Sequence, residues 1–188
     1  SRNKGAKIIF DVKCTSLLPA FISENGGEPV MSRTGHSFIK QKLKETKAEL
    51  AGEMSGHIFF KERWYGFDDA LYTGARLLEI ISKSNKSCFE IFDEMPANLS
   101  TPEININFEK HGQQFEAMNK LSADINFPDA TINTIDGVRV DYENCWGLVR
   151  ASNTTPCLVL RFEANDNESL NEIKTKFAEW LKSNGISA

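Results

Sequence analysis

Ala6-Lys7-Ile8-Ile9-Phe10-Asp11-Val12 is a short apolar, β-branched run that stops on Lys13 and Cys14. Such a run reads as a strand buried on both faces, the kind that parallel sheets contain. Its continuation decides the fold. Thr15-Ser16-Leu17-Leu18-Pro19-Ala20 opens a helix with a hydroxyl cap and a proline in its first turn, and Gly26-Gly27 closes it. Glu28-Pro29-Val30-Met31 begins a second strand. A polar helix is expected from about Ser37 to Leu50, with Phe38, Leu43 and Leu50 on one broad face and lysines on the other. Gly56-His57-Ile58-Phe59-Phe60 is a third strand. Phe67-Asp68-Asp69 then caps a helix whose stripe is Leu71, Ala75, Leu78 and Ser82. This alternation predicts an α/β domain, a mostly parallel sheet covered by helices. Because the chain enters on a strand without a preceding helix, that sheet is expected to be incomplete at its N-terminus.

Between about residues 83 and 102 the pattern dissolves into Ser, Asn, Lys, Pro and acidic residues, as in an inter-domain linker, with room for a short ordered turn around residues 89–92. The expected domains are residues 1–95 and 96–188. The second changes style. Ile104-Asn105-Ile106-Asn107-Phe108 alternates apolar and polar residues, as a half-exposed strand does. A short helix from Gln113 to Leu121 follows. Strands are then expected over residues 131–135, 138–142, 146–151 and 157–163. Asp136-Gly137 is a two-residue hairpin signal, since both turn positions tolerate positive φ. Leu170, Ile173, Phe177 and Leu181 mark a final amphipathic helix, with Gly185 beyond its last turn. An antiparallel sheet backed by helices, an α+β domain, is the reading.

Composition excludes several classes. A net charge of −4 supplies no clustered basic face for nucleic acid. No apolar run approaches the roughly 18–20 residues of a membrane span. The N-terminal residues carry no signal-peptide core. Cys14, Cys88, Cys145 and Cys157 show no CxxC and no regular spacing, so they read as reduced thiols in a cytoplasmic protein. His36, His57 and His111 do not pair at helical spacing, which leaves metal ligation poorly supported and no metal ligand assigned. The sequons at Asn98, Asn153 and Asn167 would matter only in a secreted, glycosylated adhesion-type domain.

Four segments carry chemistry. In Gly52-Glu53-Met54-Ser55-Gly56-His57 two glycines let the backbone turn tightly and approach a ligand. Glu53 and Ser55 suit sugar hydroxyls, and His57 suits a phosphate or a proton relay. The same text also fits a surface turn before a strand. Arg150-Ala151-Ser152-Asn153-Thr154-Thr155-Pro156 joins a bidentate guanidinium to hydroxyls, an amide and backbone N–H groups, an oxyanion cradle on a loop between strands. It is equally composed of turn residues. Arg33-Thr34-Gly35-His36-Ser37 precedes a helix, where the macrodipole welcomes an anion and Ser37 is the expected cap. Lys13 follows the first strand, at the carboxyl edge where parallel sheets bind ligands. Lys13, His36 and the loop at residues 53–57 should therefore share one sheet edge.

Taken together these segments resemble the α-D-phosphohexomutase family, of the bacterial phosphomannomutase/phosphoglucomutase type. The resemblance rests on Phe10-Asp11-Val12-Lys13-Cys14-Thr15, Thr34-Gly35-His36-Ser37, the loop from Gly52 to His57 and the loop from Arg150 to Pro156. Phe60-Lys61-Glu62-Arg63-Trp64, Phe67-Asp68-Asp69 and Asp136-Gly137-Val138-Arg139-Val140-Asp141-Tyr142 agree with it. It implies the third and fourth domains of a four-domain enzyme, the third lacking its first strand and helix. It implies that Glu53, Met54, Ser55 and Gly56 contact the sugar. Lys13 and His36 would contact ligand, and His57 would lie toward the reacting phosphoryl group. Arg150, Ala151, Ser152, Asn153 and Thr154 would hold the phosphate that does not react. The family's phosphoserine loop and its Mg²⁺ loop have no counterpart among these residues, and Glu62, Asp68, Asp69 and Asp93 do not reproduce the metal pattern. Expected partners are mannose or glucose 1- and 6-phosphates and the bisphosphorylated intermediate, together with the missing N-terminal domains. The chain is expected to be inactive alone. A phosphoglucosamine mutase fragment and a non-catalytic sugar-phosphate binding module are the alternatives.

Overall fold

The computed structural model describes residues 3–186. Two compact units, Ser1–Ala97 and Asn98–Ala188, follow one another along the chain.

The first unit contains β1 (Lys7–Asp11), α1 (Leu17–Glu24), β2 (Glu28–Ser32), α2 (His36–Thr46), β3 (Leu50–Gly52), β4 (Ile58–Phe60), α3 (Ala70–Ser82) and α4 (Cys88–Asp93). Its sheet runs in the order β2-β1-β3-β4, parallel across the first three strands and antiparallel between β3 and β4. The α/β expectation holds, with one strand more than the sequence pattern showed. Leu50 is not the last residue of a helix. Helix α2 stops at Thr46, where Lys47 turns into the left-handed region at φ 54°, and Leu50 enters β3 beside β1. The buried face of α2 is Ile39 and Leu43, and Phe38 instead lies under the Arg33 guanidinium, 4.2 Å from its centroid. Nor does Ser37 cap this helix. Gly35 is the N-cap, at φ 126°, with no side-chain cap bond.

Alternation along the strands sends their side chains to two faces. Ile9, Ala51 and Phe59 pack with Ile39, Leu43 and Ala48 in a core beneath α2. Ile8, Leu50 and Phe60 face the other way and floor a groove of about 540 Å³, whose lining includes Leu18 and Phe21 of α1 and Arg76 and Ile80 of α3. Asp69 caps α3, accepting from the Tyr72 amide at 2.9 Å. The expected stripe on α3 is not buried: Leu71 and Leu78 are exposed. Tyr72 and Arg76, one turn apart, attach this helix instead, through a T-shaped ring contact to Phe60 at 5.5 Å and a cation–π contact to it at 4.5 Å. The polar stretch after residue 83 holds more order than a linker, since α4 carries a full capping box between Ser87 and Glu90.

The second unit contains β5 (Leu99–Ser100), β6 (Ile104–Asn107), α5 (Gln113–Ala123), β7 (Thr131–Asn133), β8 (Val138–Asp141), β9 (Cys145–Ala151), β10 (Cys157–Ala164) and α6 (Asn167–Ser183). All its pairings are antiparallel, in the order β5-β10-β9-β8-β7, with β6 also on β10. The core joins Val138, Val140, Val149, Leu158, Leu160 and Phe162 of the sheet to Met118 and Leu121 of α5 and Ile173, Phe177 and Leu181 of α6. Gly147 lets α6 sit close, because a Cβ there would meet the Phe177 ring at 2.5 Å. The hairpin from β7 to β8 departs from the two-residue expectation. β7 ends at Asn133, so four residues, 134–137, connect the strands. The Asn133 carboxamide oxygen accepts from the Ile135 amide at 2.9 Å, an Asx turn.

Candidate functional site

Parallel pairing puts Asp11, Ser32 and Gly52 at the same carboxyl edge, since Asp11 lies opposite Ser32 and Phe10 opposite Gly52. Three loops leave that edge, and one fully buried carboxylate ties them together. Asp11 Oδ1 accepts from the Cys14 thiol at 3.1 Å and from the Met54 amide at 3.2 Å. Its Oδ2 accepts from the Thr34 hydroxyl at 3.1 Å and lies 3.9 Å from Lys13 Nζ. A buried carboxylate held by several donors and a cation is compensated for its desolvation.

Glu53, also buried, reaches across this edge to the start of α2. Its Oε1 accepts from the Gly35 amide at 2.7 Å, and its Oε2 lies 3.9 Å from His36 Nε2. The anion at this helix N-terminus is thus a side chain of the same chain. The loop folds back on itself: the Glu53 amide donates to the His57 carbonyl and the Gly56 amide to the Glu53 carbonyl, both at 2.9 Å. Gly56 takes φ 91°, which favours glycine, and Ser55 is exposed at the tip. His57 then meets His36 edge to face, with centroids 4.3 Å apart, while His36 rests against Phe59 at 5.4 Å. Asp68 Oδ2 lies 2.8 Å from His57 Nδ1 and 3.4 Å from His36 Nε2. Lys13, His36, Glu53, Met54 and His57 are therefore gathered within one unit, with Ser55 and Gly56 on the same loop.

In the second unit, Arg150, Ala151, Ser152, Asn153 and Thr154 run from the end of β9 into the loop before β10. Ser152 is buried, Asn153 and Thr154 exposed. The loop is built as a turn by its own hydroxyls. Ser152 Oγ pairs with Thr155 Oγ1 at 2.8 Å and accepts from the Thr155 and Thr154 amides at 3.2 and 3.4 Å. Gln114 braces it from α5, its Nε2 donating to the Ser152 carbonyl at 3.3 Å. Arg150 is buried, and its Nε donates to Asp136 Oδ2 at 2.9 Å.

Three residues of these arrangements were not site candidates on sequence. Asp11 read as the end of a strand, Asp68 as part of a helix cap and Asp136 as a turn residue. A charged residue terminating an apolar strand was the available signal for Asp11. For the others the partner lies on a different element, and spacing along the chain does not reveal it.

These arrangements can be set beside known proteins. Residues 1–99 match the family model described as "Phosphoglucomutase/phosphomannomutase, alpha/beta/alpha domain III". Residues 103–179 match "Phosphoglucomutase/phosphomannomutase, C-terminal domain". The chain belongs to the phosphoglucomutase/phosphomannomutase family. It is 58% identical over 182 residues to the phosphomannomutase/phosphoglucomutase of Pseudomonas aeruginosa, covering 97% of this chain and 39% of that protein. To the phosphoglucomutase of Neisseria gonorrhoeae it is 53% identical over 185 residues, covering 98% of this chain and 40% of the relative. Among solved structures, a phosphoglucomutase/phosphomannomutase family protein from Burkholderia thailandensis superposes with a TM-score of 0.91 at 50% identity, covering 98% of this chain and 39% of that one. An Aspergillus fumigatus N-acetylphosphoglucosamine mutase, solved with GlcNAc-6P and magnesium, gives a TM-score of 0.62 at 11% identity over 96% of this chain and 39% of its own, a likeness of fold. The chain thus spans about two-fifths of the length of these relatives.

Proposed function

We propose that this chain is the sugar- and phosphate-gripping part of a mutase that interconverts hexose 1-phosphates and 6-phosphates. The observation that carries the proposal is the gathering of Lys13, His36, Glu53 and His57 at the carboxyl edge of a sheet whose sequence matches the family's domain III. Residues 1–95 correspond to the family's third domain, lacking its first elements, and residues 96–188 to the fourth. Glu53 and Ser55 bind ring hydroxyls, with the backbone of Met54 and Gly56 shaping the loop. Lys13 and His36 add ligand contacts, and His57 lies toward the reacting phosphoryl group. Arg150, Ala151, Ser152, Asn153 and Thr154 form the clamp for the phosphate that stays on the sugar. In the complete enzyme a phosphoserine gives its phosphoryl group to the sugar and recovers the other phosphate after the bisphosphorylated intermediate has turned over. Symmetric hydroxyl contacts suit that reorientation, because both orientations are gripped by the same residues. The cytoplasm is the proposed compartment; among the described residues no helix is long and apolar enough to cross a membrane.

Magnesium belongs, in this reading, to the complete enzyme, where it would neutralise charge developing on the transferred phosphoryl group. The residues present here do not fit it. Magnesium demands an octahedron of oxygens, whereas the carboxylates at this edge are taken up by backbone, hydroxyl and imidazole partners. Phosphoryl transfer is accordingly assigned to the preceding domains, and the chain alone is inactive.

Two measurements test this. Titrating the ¹⁵N-labelled chain with glucose 1-phosphate should shift the amides of residues 35–36, 53–57 and 151–155; perturbations confined to other residues would sink the assignment. With magnesium and glucose 1,6-bisphosphate supplied, the chain should convert no glucose 1-phosphate to the 6-phosphate, and turnover would refute its inactivity.

A further inference from the structure

His36, His57 and Asp68 come from three separate elements and present one ligand atom each, all within 4.8 Å of one another. We propose that these three side chains form a binding site for a borderline divalent transition metal, with zinc the type case. Zinc bonds of ~2.0–2.1 Å in a tetrahedron place neighbouring ligand atoms roughly 3.3 Å apart. Asp68 Oδ2 already lies 2.8 Å from His57 Nδ1 and 3.4 Å from His36 Nε2, on either side of that spacing, and small side-chain rotations complete the set.

The three positions are anchored. His36 is the first residue of α2 and packs against Phe59. His57 immediately precedes β4, and its carbonyl closes the loop by accepting from Glu53. Asp68 is bridged through its backbone to Phe59 and adjoins the N-cap of α3. Both imidazoles are a little under half exposed, at 44% and 45%, so a fourth coordination position would open to solvent. Two nitrogens and a carboxylate oxygen with an open position is a zinc set of the kind seen in catalytic sites. Imidazole also suits nickel and copper, whereas magnesium and calcium prefer oxygen alone. Glu53 Oε2, 3.9 Å from His36 Nε2, lies beside the set as a further carboxylate.

The site shares His36 and His57 with the proposed sugar-phosphate grip, so metal and sugar phosphate would exclude one another there; that consequence rests on the functional reading. Metal binding itself does not, and its readout is independent of turnover.

The test is a Co²⁺ titration of the 188-residue chain followed by visible absorption, with Zn²⁺ as the displacing ion. One equivalent should give the intense d–d bands of four- or five-coordinate cobalt, without the near-ultraviolet charge-transfer band of thiolate ligation. H36A, H57A and D68N should each weaken binding by roughly tenfold or more, on the scale that losing even an outer-shell partner reaches. H111A, at an exposed histidine on another element, should leave it unchanged. A thiolate band, or equal affinity in all variants, overturns the site. Should a variant fold poorly by circular dichroism, the unaltered chain decides. Zn²⁺ must move the ring ¹⁵N resonances of His36 and His57 and spare those of His111, and unmoved resonances reject the proposal.

Discussion

Arg150, which the proposed function places in the phosphate clamp, is first of all a structural residue. Its Nε donates to Asp136 Oδ2 at 2.9 Å in a pair buried on both sides. Removing one partner of a buried pair strands the other charge away from water, at a cost of about 3–5 kcal/mol. R150A and D136A should therefore each lower the opening free energy of the β9 and β10 amides by about that much, read by native-state hydrogen exchange. The double variant should lose clearly less than the sum, because neither charge is left alone. Additive losses would show that the two side chains do not interact. Glycine at 137 belongs to the same arrangement: at φ 79°, a Cβ there would meet the Val149 carbonyl oxygen at 2.2 Å. The sequence flagged Asp136-Gly137 as a turn, and the turn exists in a longer form. Its electrostatic purpose was hidden because Arg150 lies on another strand.

At the scale of elements, α6 shows a helix whose existence and most of whose buried face were readable, while its start at Asn167 and the burial of Trp180 were not. Leu170, Ile173, Phe177 and Leu181 recur at helical spacing, and Asp166 stands one residue before the helix as its cap. The Ser169 amide donating to it holds the Asp166 carboxyl below its usual range. A carboxyl whose pKa is lowered on folding contributes stability above its unfolded value, and loses it as pH falls through the folded value. D166A should hence lower the thermal midpoint at neutral pH. The difference from the unaltered chain should begin to shrink below about pH 4, the ordinary carboxyl range, and vanish under the lowered folded value. A pH-independent difference would exclude the carboxylate cap as its source. Helix α2 was less legible: its lysine-rich text runs past Thr46 without a proline, and the stop is made by Lys47 in the left-handed region. Three residues later β3 pairs with β1, a long-range contact that no local pattern announces.

For the whole molecule, the apolar groove of the first unit is the feature on which the proposed reading makes a prediction. Its floor of Ile8, Leu50 and Phe60 is apolar strand surface of the kind that α/β domains cover with further elements. In the proposed reading this groove seats polypeptide that the longer relatives have in addition to the residues matched here. The 188-residue chain should bind the dye ANS through this groove, and a polypeptide of the relatives' full length should bind it far less per molecule. Equal binding by both would remove this assignment. The α/β and α+β halves, with their order along the chain, were legible because a buried parallel strand and a half-exposed antiparallel one differ in pattern. The exposure of Leu71 and Leu78 was not legible, since periodicity marks an apolar face without saying what lies against it.

Lys13, His36, Glu53 and His57 were singled out from local text, because glycine-bracketed loops after apolar strands carry their chemistry in short segments, and the family resemblance supplied their expected roles. The sequence by itself determined those segments, the fold class of each half and the family resemblance. Only the tertiary structure decided that Asp11 would fasten three loops, that Glu53 would supply the anion at the start of α2, and that Asp68 would join two histidines. The reason is physical. Each of these contacts closes between different elements, and they meet only once β1, β2 and β3 are in parallel register and β4 has paired antiparallel to β3.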